Sequence, residues 1–221
     1  MNVLKRTYGS LHWRATSFLR QIRARQQAEQ EKRAQVQNLI TAAQNANPLR
    51  VILGSGGTTY EGWIPTDVHL LDITNPTDWQ RYFKPNTIQR MLAEHVLEHL
   101  SEQQNRAGLA LCYQYLAPGG IFRIAVPDGN RLDAAYQAEV RPPKDGHQML
   151  FTLEKMTALL EEAGFTVRPL EYFDRDEQFH ATSWDSADGH VMRSVRFDRQ
   201  KDFQRGELYY TSLIVDAVKP S

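Results

Sequence analysis

A single cysteine, Cys112, among 221 residues leaves no partner for an intrachain disulfide. That excludes a disulfide-stapled secreted scaffold and fits a reducing compartment. Cys112 falls on the apolar side of a helical pattern, so its plain reading is a small buried hydrophobe. No apolar run approaches the ~18 residues that a membrane-spanning helix needs. The first residues lack an uninterrupted apolar core with a small-residue cleavage site, so they read poorly as a signal peptide. A cytoplasmic protein is expected, at most peripheral to a membrane. Net charge is also lacking, with 26 Lys and Arg against 26 Asp and Glu. The balance hides an asymmetry. Residues 1–50 hold nine Lys and Arg against two Glu, so the remainder carries the compensating excess of acid. An acidic body with a basic arm does not suit a nucleic-acid binder, whose positive face usually belongs to the folded module. Internal repeats are missing as well.

What is present divides at residue 48, with a basic helical arm over 1–48 and an α/β domain over 49–221. In the arm, Leu4, Tyr8, Leu11, Ala15, Phe18, Leu19 and Ile22 follow helical spacing with arginines between them. Asn47-Pro48 ends the pattern. Two readings stay open. The stripe packs on its own domain or on a second subunit in a homodimer, or the arm is a basic amphipathic helix that meets anionic lipid or an acidic partner.

From Leu49 on, strand and helix signals alternate, which argues for an α/β fold. Strands are expected at Val51–Leu53, Trp63–Thr66, His69–Ile73, Ile88–Ala93, Ile121–Val126, Phe165 toward Tyr172, and in the tail Tyr209–Val218. Between Ala93 and Asp128 the order is a strand end, a helix, a Pro-Gly-Gly turn and a second strand. Ser101 with Gln104 fits a capping box. Leu109, Cys112, Tyr113 and Leu116 share one helix face, and Pro118-Gly119-Gly120 stops the helix. Ile121–Val126 is apolar except for Arg123, which suits a strand covered on both faces. Thr152 caps a helix carrying Leu153, Met156, Leu160 and Ala163, and Gly164 ends it. The polar segment 174–206 reads as an excursion over the catalytic edge. Ligands in such sheets bind beyond the carboxyl ends of the strands, where Glu94-His95 and Pro127-Asp128 would sit.

The loop Gly54-Ser55-Gly56-Gly57 follows a strand and permits close approach of a ligand to the backbone. A phosphate-binding loop of the Walker type is excluded, because the required lysine is missing. A dinucleotide fingerprint lacks its third glycine, which Thr59 replaces. An adenosyl-sulfonium site fits better, with an acid at the end of the next strand for the ribose hydroxyls; Asp67 stands there. A plain turn explains the loop as well.

Taken in order, LGSGG, GWIPTD, AEHVLEHL, YLAPGGIFRIAVPD and LEEAGFTV resemble the class I S-adenosylmethionine-dependent methyltransferases, in particular small bacterial type 11-like members often associated with surface-glycan genes. The resemblance spans about Leu49 to Lys219. It implies a Rossmann-like, mostly parallel seven-stranded sheet with helices on both faces and an antiparallel last strand. It implies S-adenosylmethionine as cofactor and a hydroxyl or amine acceptor on a small molecule or glycan. Gly54, Ser55 and Gly56 would meet the methionine part, Asp67 the ribose and Asp72 the adenine. Ala93, Glu94 and His95 would line the pocket beside the sulfonium, and Asp128 and His147 would face the acceptor. The chain departs from the family in two places. Ile52-Leu53 precedes Gly54 where the family carries an acid. Only Thr58–Gly62 separates the glycine loop from the second strand, whereas a parallel crossover usually takes a dozen residues.

Methyl transfer asks the protein to position the acceptor and to take its proton. Imidazoles suit that task near neutrality, so His95, His147 and the carboxylate Asp128 are the catalytic candidates. His147 reads equally well as a loop histidine bonded to backbone. The cluster Glu94, His95, Glu98, His99 is not HExxH and has no third ligand nearby in sequence, so no metal is expected. Glu98 and His99 then read as capping and packing at a helix start. Trp184, Asp185, Asp188, His190, Arg193 and Arg196 suit a sugar or phosphate contact, or a solvated loop. Two rivals remain. One is a catalytically inactive methyltransferase-like module that recruits a partner through its arm, and the other is a nicotinamide-dependent oxidoreductase.

Overall fold

A computed structural model describes residues 3–198 and 212–221, with only the backbone described for 3–19 and 22. The chain divides into two compact units, Met1–Thr41 and Ala42–Ser221. The first is occupied by helix α1, Val3–Asn45, which runs on to the start of the second. Its side chains from Arg23 to Gln35 are exposed, and within the helix Arg33 pairs with Glu29 at 3.2 Å. The apolar stripe from Leu4 to Ile22 lies outside the described side chains. Among the described residues no helix is long and apolar enough to cross a membrane.

The second unit is built on one seven-stranded sheet: β1 (Arg50–Leu53), β2 (Ile64–Pro65), β3 (Ile88–Glu94), β4 (Leu116–Pro127), β5 (Thr166–Phe173), β6 (Phe179–Ala181) and β7 (Ser212–Val218). Their order is β2-β1-β3-β4-β7-β5-β6. β2, β1, β3 and β4 pair in parallel. β7 runs antiparallel to both β4 and β5, and β6 runs antiparallel to β5. This is the Rossmann-like α/β sheet with an antiparallel last strand that the motif order implies. Residues 209–211 of the expected tail strand lie outside the described residues.

Two expectations need correction. His69–Ile73 is a turn rather than a strand: Leu70 and Leu71 donate backbone N–H to the Asp67 carbonyl. The chain reaches seven strands instead by adding β6 at the far edge. The helix stop also falls earlier than the Pro-Gly-Gly turn. α3 (Glu102–Tyr115) ends at Tyr115, and Leu116 already pairs with Ile88. Tyr115, not Tyr113, is the fully buried tyrosine of α3, stacked 5.1 Å from Trp79. The capping box is as expected, with Ser101 Oγ accepting from Gln104 N and Gln104 Oε1 from Ser101 N.

Two short helices escaped the sequence reading. α2 (Pro76–Tyr82) starts at an Asn75 cap with proline in its first turn. α4 (Ala134–Val140) starts at Asp133, whose carboxylate accepts from Tyr136 N. Helix α5 (Leu153–Glu162) has the expected Thr152 cap, and Gly164 follows it at φ 101°.

α2, α3 and α5 pack in one layer. On the sheet face carrying Ile52, Leu92, Ala125, Leu170 and Ile214, the cover comes from Trp63 and Val191, with Tyr60 and Trp184 against them. The excursion after β6 thus does the work expected of a helix. Three side chains fasten it, two of them, Arg123 and Glu171, buried. Arg123 donates to the carbonyls of Asp185 and Gly189. Glu171 accepts from Trp184 Nε1 and Val195 N. Glu94 accepts from the backbone of Met192 and Arg193. Arg123, the one charge in the apolar β4 run, also makes a two-pronged pair with Asp216, its register partner on β7.

Candidate functional site

In the strand order the chain leaves β1 toward β2 on one side and returns to β3 on the other. That reversal opens a crevice beyond the strand ends, the usual ligand position in such sheets. A cavity of about 490 Å³ lies there, within the range of small-molecule sites. β1 and its loop contribute Ile52, Gly54 and Ser55, and β3 with the residue after it contributes Leu92, Glu94 and His95. The remaining wall comes from Thr58, Tyr60, Glu139, Asp145, His147, Met192 and Arg193.

The β1–β2 crossover is a bare turn, as its length demands. It holds because Thr66 N donates to Ile52 O at 2.8 Å and Ser55 N to Thr66 O at 2.8 Å. Gly54 sits at φ 63°, and a Cβ there would come 2.6 Å from Val96 Cγ2. Gly56 is also left-handed, at φ 55°, but a Cβ there would meet nothing within 4 Å. So Gly54 is required by packing, whereas Gly56 borders open space.

Asp67 closes the loop from the other side. Its Oδ2 accepts from Ser55 Oγ and its Oδ1 from Gly56 N, both at 3.0 Å. A carboxylate has about four lone-pair sites, so two acceptor positions remain; Asp67 and Gly56 stand behind Ser55 and are not themselves part of the cavity lining. Asp72 stands apart from the cavity: its Oδ1 accepts from Thr74 N and Thr74 Oγ1 in the turn before α2. Ala93 is buried against Leu53 in the β1–β3 ladder and does not line the cavity.

His95 follows the last residue of β3 in a left-handed conformation, φ 57°, uncommon for a residue with a side chain. Its N–H donates to Ala125 O. Its Nδ1 lies 2.8 Å from Glu98 Oε1 and its Nε2 3.2 Å from Ser212 Oγ. Glu98 therefore does not cap a helix. It sits in a single 3-10 turn, Leu97–His99, and is fully buried. The order Ser212, His95, Glu98 is that of a nucleophilic triad, but Ser212 is only 1 % exposed, so its hydroxyl orients the imidazole rather than meeting a substrate.

Asp128 is displaced from the catalytic role read from sequence. It is fully buried, its Oδ1 accepts from Asn130 N and its Oδ2 from Phe173 N, and it does not line the cavity. It ties the end of β4 to the end of β5. Burial pushes its carboxyl up to about 6 against the two backbone N–H bonds that favour the charged form. His147 does reach the cavity, and its Nδ1 lies 2.8 Å from Val140 O. It also stands edge-on to His99, ring centroids 4.9 Å apart.

Tyr60 was not read as a site residue. It lines the cavity, packs its ring 5.0 Å from His190, and its buried hydroxyl has no partner. Burial, and then the Glu94 charge, push its phenol up to about 12. The sequence signal was slight: a lone aromatic in a glycine-rich turn. Glu139, Asp145 and Met192 had no motif around them.

No protein-family model matches the chain, and no curated protein matches it. Solved structures of S-adenosylmethionine-dependent methyltransferases are similar to it over most of its length. One, from Archaeoglobus fulgidus, is 17 % identical, with 86 % of this chain and 94 % of that one covered and a TM-score of 0.47. Another, from Thermotoga maritima, is a possible histamine N-methyltransferase; it is 13 % identical over 92 % of this chain and 98 % of that one, with a TM-score of 0.46. The CurJ carbon methyltransferase is 14 % identical over 80 % of this chain, with a TM-score of 0.47, and this chain spans half of its length. The chemistry of this chain is read from its own residues.

Proposed function

We propose that the chain is an S-adenosylmethionine-dependent methyltransferase that acts on a hydroxyl or amine of a small molecule or glycan. The observation that carries the reading is the cavity at the β1/β3 switch point, with Gly54 and Ser55 of the glycine loop on one wall and His95, backed by the buried Glu98, on another. The residues fit the cofactor's chemistry. Glu94, Glu139 and Asp145 line the cavity against one arginine, Arg193, which suits a ligand bearing sulfonium and ammonium cations and one carboxylate. The open space over Gly56 and the unpartnered Tyr60 hydroxyl leave room and a polar contact. Gly54, Ser55 and Gly56 would hold the methionine part and Asp67 the ribose.

When bound, the cofactor supplies a methyl group on a sulfonium that leaves as a neutral thioether. The chain's own task is then to hold the acceptor in line and receive its proton. Glu98 accepts from Nδ1 of His95, so that nitrogen carries the hydrogen, and Nε2, which meets Ser212 Oγ at 3.2 Å, would exchange that contact for the acceptor's proton to act as the base. Glu98 steadies the imidazolium that results, as the third member of a triad does. Methyl-labelled cofactor, offered with hydroxyl and amine acceptors including glycans, tests the reading. Incorporation that disappears in His95→Ala supports it, and incorporation that persists in that variant removes His95 from the mechanism.

A second reading, a cofactor-free module that works through its basic arm, draws on Ile52-Leu53 in place of an acid and on the two bonds that already occupy Asp67. Failure to bind S-adenosylhomocysteine, together with sedimentation of the full chain on anionic vesicles, favours that reading.

A further inference from the structure

Oε2 of Glu98 is buried without a hydrogen-bond partner, in a side chain that is itself 0 % exposed. Carboxylate oxygens in that position are costly and call for a donor, a proton or a cation. The surroundings favour a cation. His99 and His147 each offer a ring nitrogen, and with the Glu98 carboxylate their ligand atoms lie within 4.8 Å of one another. We propose that Glu98, His99 and His147 form a binding site for a divalent transition metal of the zinc class.

The chemistry of the set supports that class. Two imidazoles and one carboxylate are zinc donors, and they recur where a metal keeps an open position. Magnesium and calcium prefer oxygen ligands throughout. The outer partners are also those of a metal site. A backbone carbonyl can only accept, so Nδ1 of His147 donates to Val140 O at 2.8 Å and leaves Nε2 with its lone pair bare. Metal-binding histidines are commonly held this way. Likewise His95 fixes Oε1 of Glu98 at 2.8 Å, leaving Oε2 for the ion. Tetrahedral zinc needs its ligand atoms roughly 3.3 Å apart, so the set would close by a small movement, and His99 is its one exposed member. Because His147 lines the cavity, the ion would stand at its wall. The third ligand was invisible in sequence, since His147 lies 48 positions after His99.

The test uses the full chain, stripped with a chelator and returned to buffer. Zn²⁺ is titrated against a chromophoric chelator, and Co²⁺ is titrated while the visible spectrum is recorded. Binding of about one ion per chain is expected, with the intense Co²⁺ bands of a four-coordinate site. His99→Ala and His147→Ala should each weaken Zn²⁺ binding at least about tenfold and remove the Co²⁺ bands. His69→Ala, an exposed histidine elsewhere, should leave both unchanged. His99 is exposed, so its variant serves even if His147→Ala fails to fold. A folded chain that binds no Zn²⁺, or a His99→Ala variant that binds like the parent, overturns the proposal and leaves a water or a proton on Oε2.

Discussion

Nδ1 of His95 stands 2.8 Å from Oε1 of Glu98, three residues further along the chain. The strand is followed by a left-handed residue, φ 57°, and the turn after it brings the carboxylate under the imidazole. Nδ1 is thereby committed to Glu98, and Nε2, 3.2 Å from Ser212 Oγ, is the candidate base. Glu98→Gln keeps the shape but can present an N–H to Nδ1, which permits the wrong tautomer. Methyl transfer in that variant should fall roughly 100-fold or more, with cofactor affinity unchanged. Single-turnover rates measured beside ligand affinity check the split.

Arg123 and Asp216 face each other across β4 and β7 and join in a two-pronged pair, 2.7 and 2.9 Å. Asp216→Ala would leave a buried guanidinium with half its partners. The expected loss is about 3–5 kcal/mol, whereas replacing both residues by apolar ones of similar volume should cost far less. Urea unfolding of the two variants makes the comparison.

The two left-handed glycines of the loop should separate packing from binding. Gly54→Ala drives a Cβ against Val96 and should cost about 2–4 kcal/mol of stability. Gly56→Ala meets nothing, so its stability cost should stay within about 1–2 kcal/mol, while cofactor binding weakens because the methyl fills the space over the loop. Thermal unfolding with and without ligand reads both effects.

Asp128 should titrate near pH 6, well above an ordinary aspartate at 3.8. Folding raises its pKa, so the folded chain holds the proton more tightly than the unfolded one. The associated stability is fully present below pH 3.8 and is lost as pH rises through 6. The whole span is on the order of 3 kcal/mol. Carboxyl-carbon NMR of Asp128 gives the midpoint. A midpoint near 4 would mean that its two backbone N–H donors outweigh its burial.

Much of this fold was legible because its signals are local. The Ser101–Gln104 box, the Thr152 cap and the short apolar runs of β1, β3 and β4 each declare an element within a few residues. His69–Ile73 misled because Leu70, Leu71 and Ile73 are apolar at strand-like spacing, yet the Asp67 carbonyl draws the backbone into a turn. The cavity lining was legible where strand ends carry it, at Gly54, Ser55, Glu94 and His95, and at His147 and Arg193 further along the chain. Asp128 looked catalytic by position, but its carboxylate is consumed by the backbone of Asn130 and Phe173. Tyr60 and Asp145 enter on turns and Glu139 on α4, through packing that no spacing encodes. Glu98 was three residues from His95, and only the turn between them shows that they meet.

The central claim is that the cavity beside the glycine loop holds S-adenosylmethionine. Isothermal calorimetry of the full chain with S-adenosylhomocysteine tests it most directly, because no acceptor need be known. The expected result is saturable binding of one ligand per chain, weakened at least about tenfold in Asp67→Ala by loss of the ribose contacts. A folded chain that takes up no ligand at millimolar concentration would contradict the claim, and unchanged affinity in Asp67→Ala would contradict the ribose assignment.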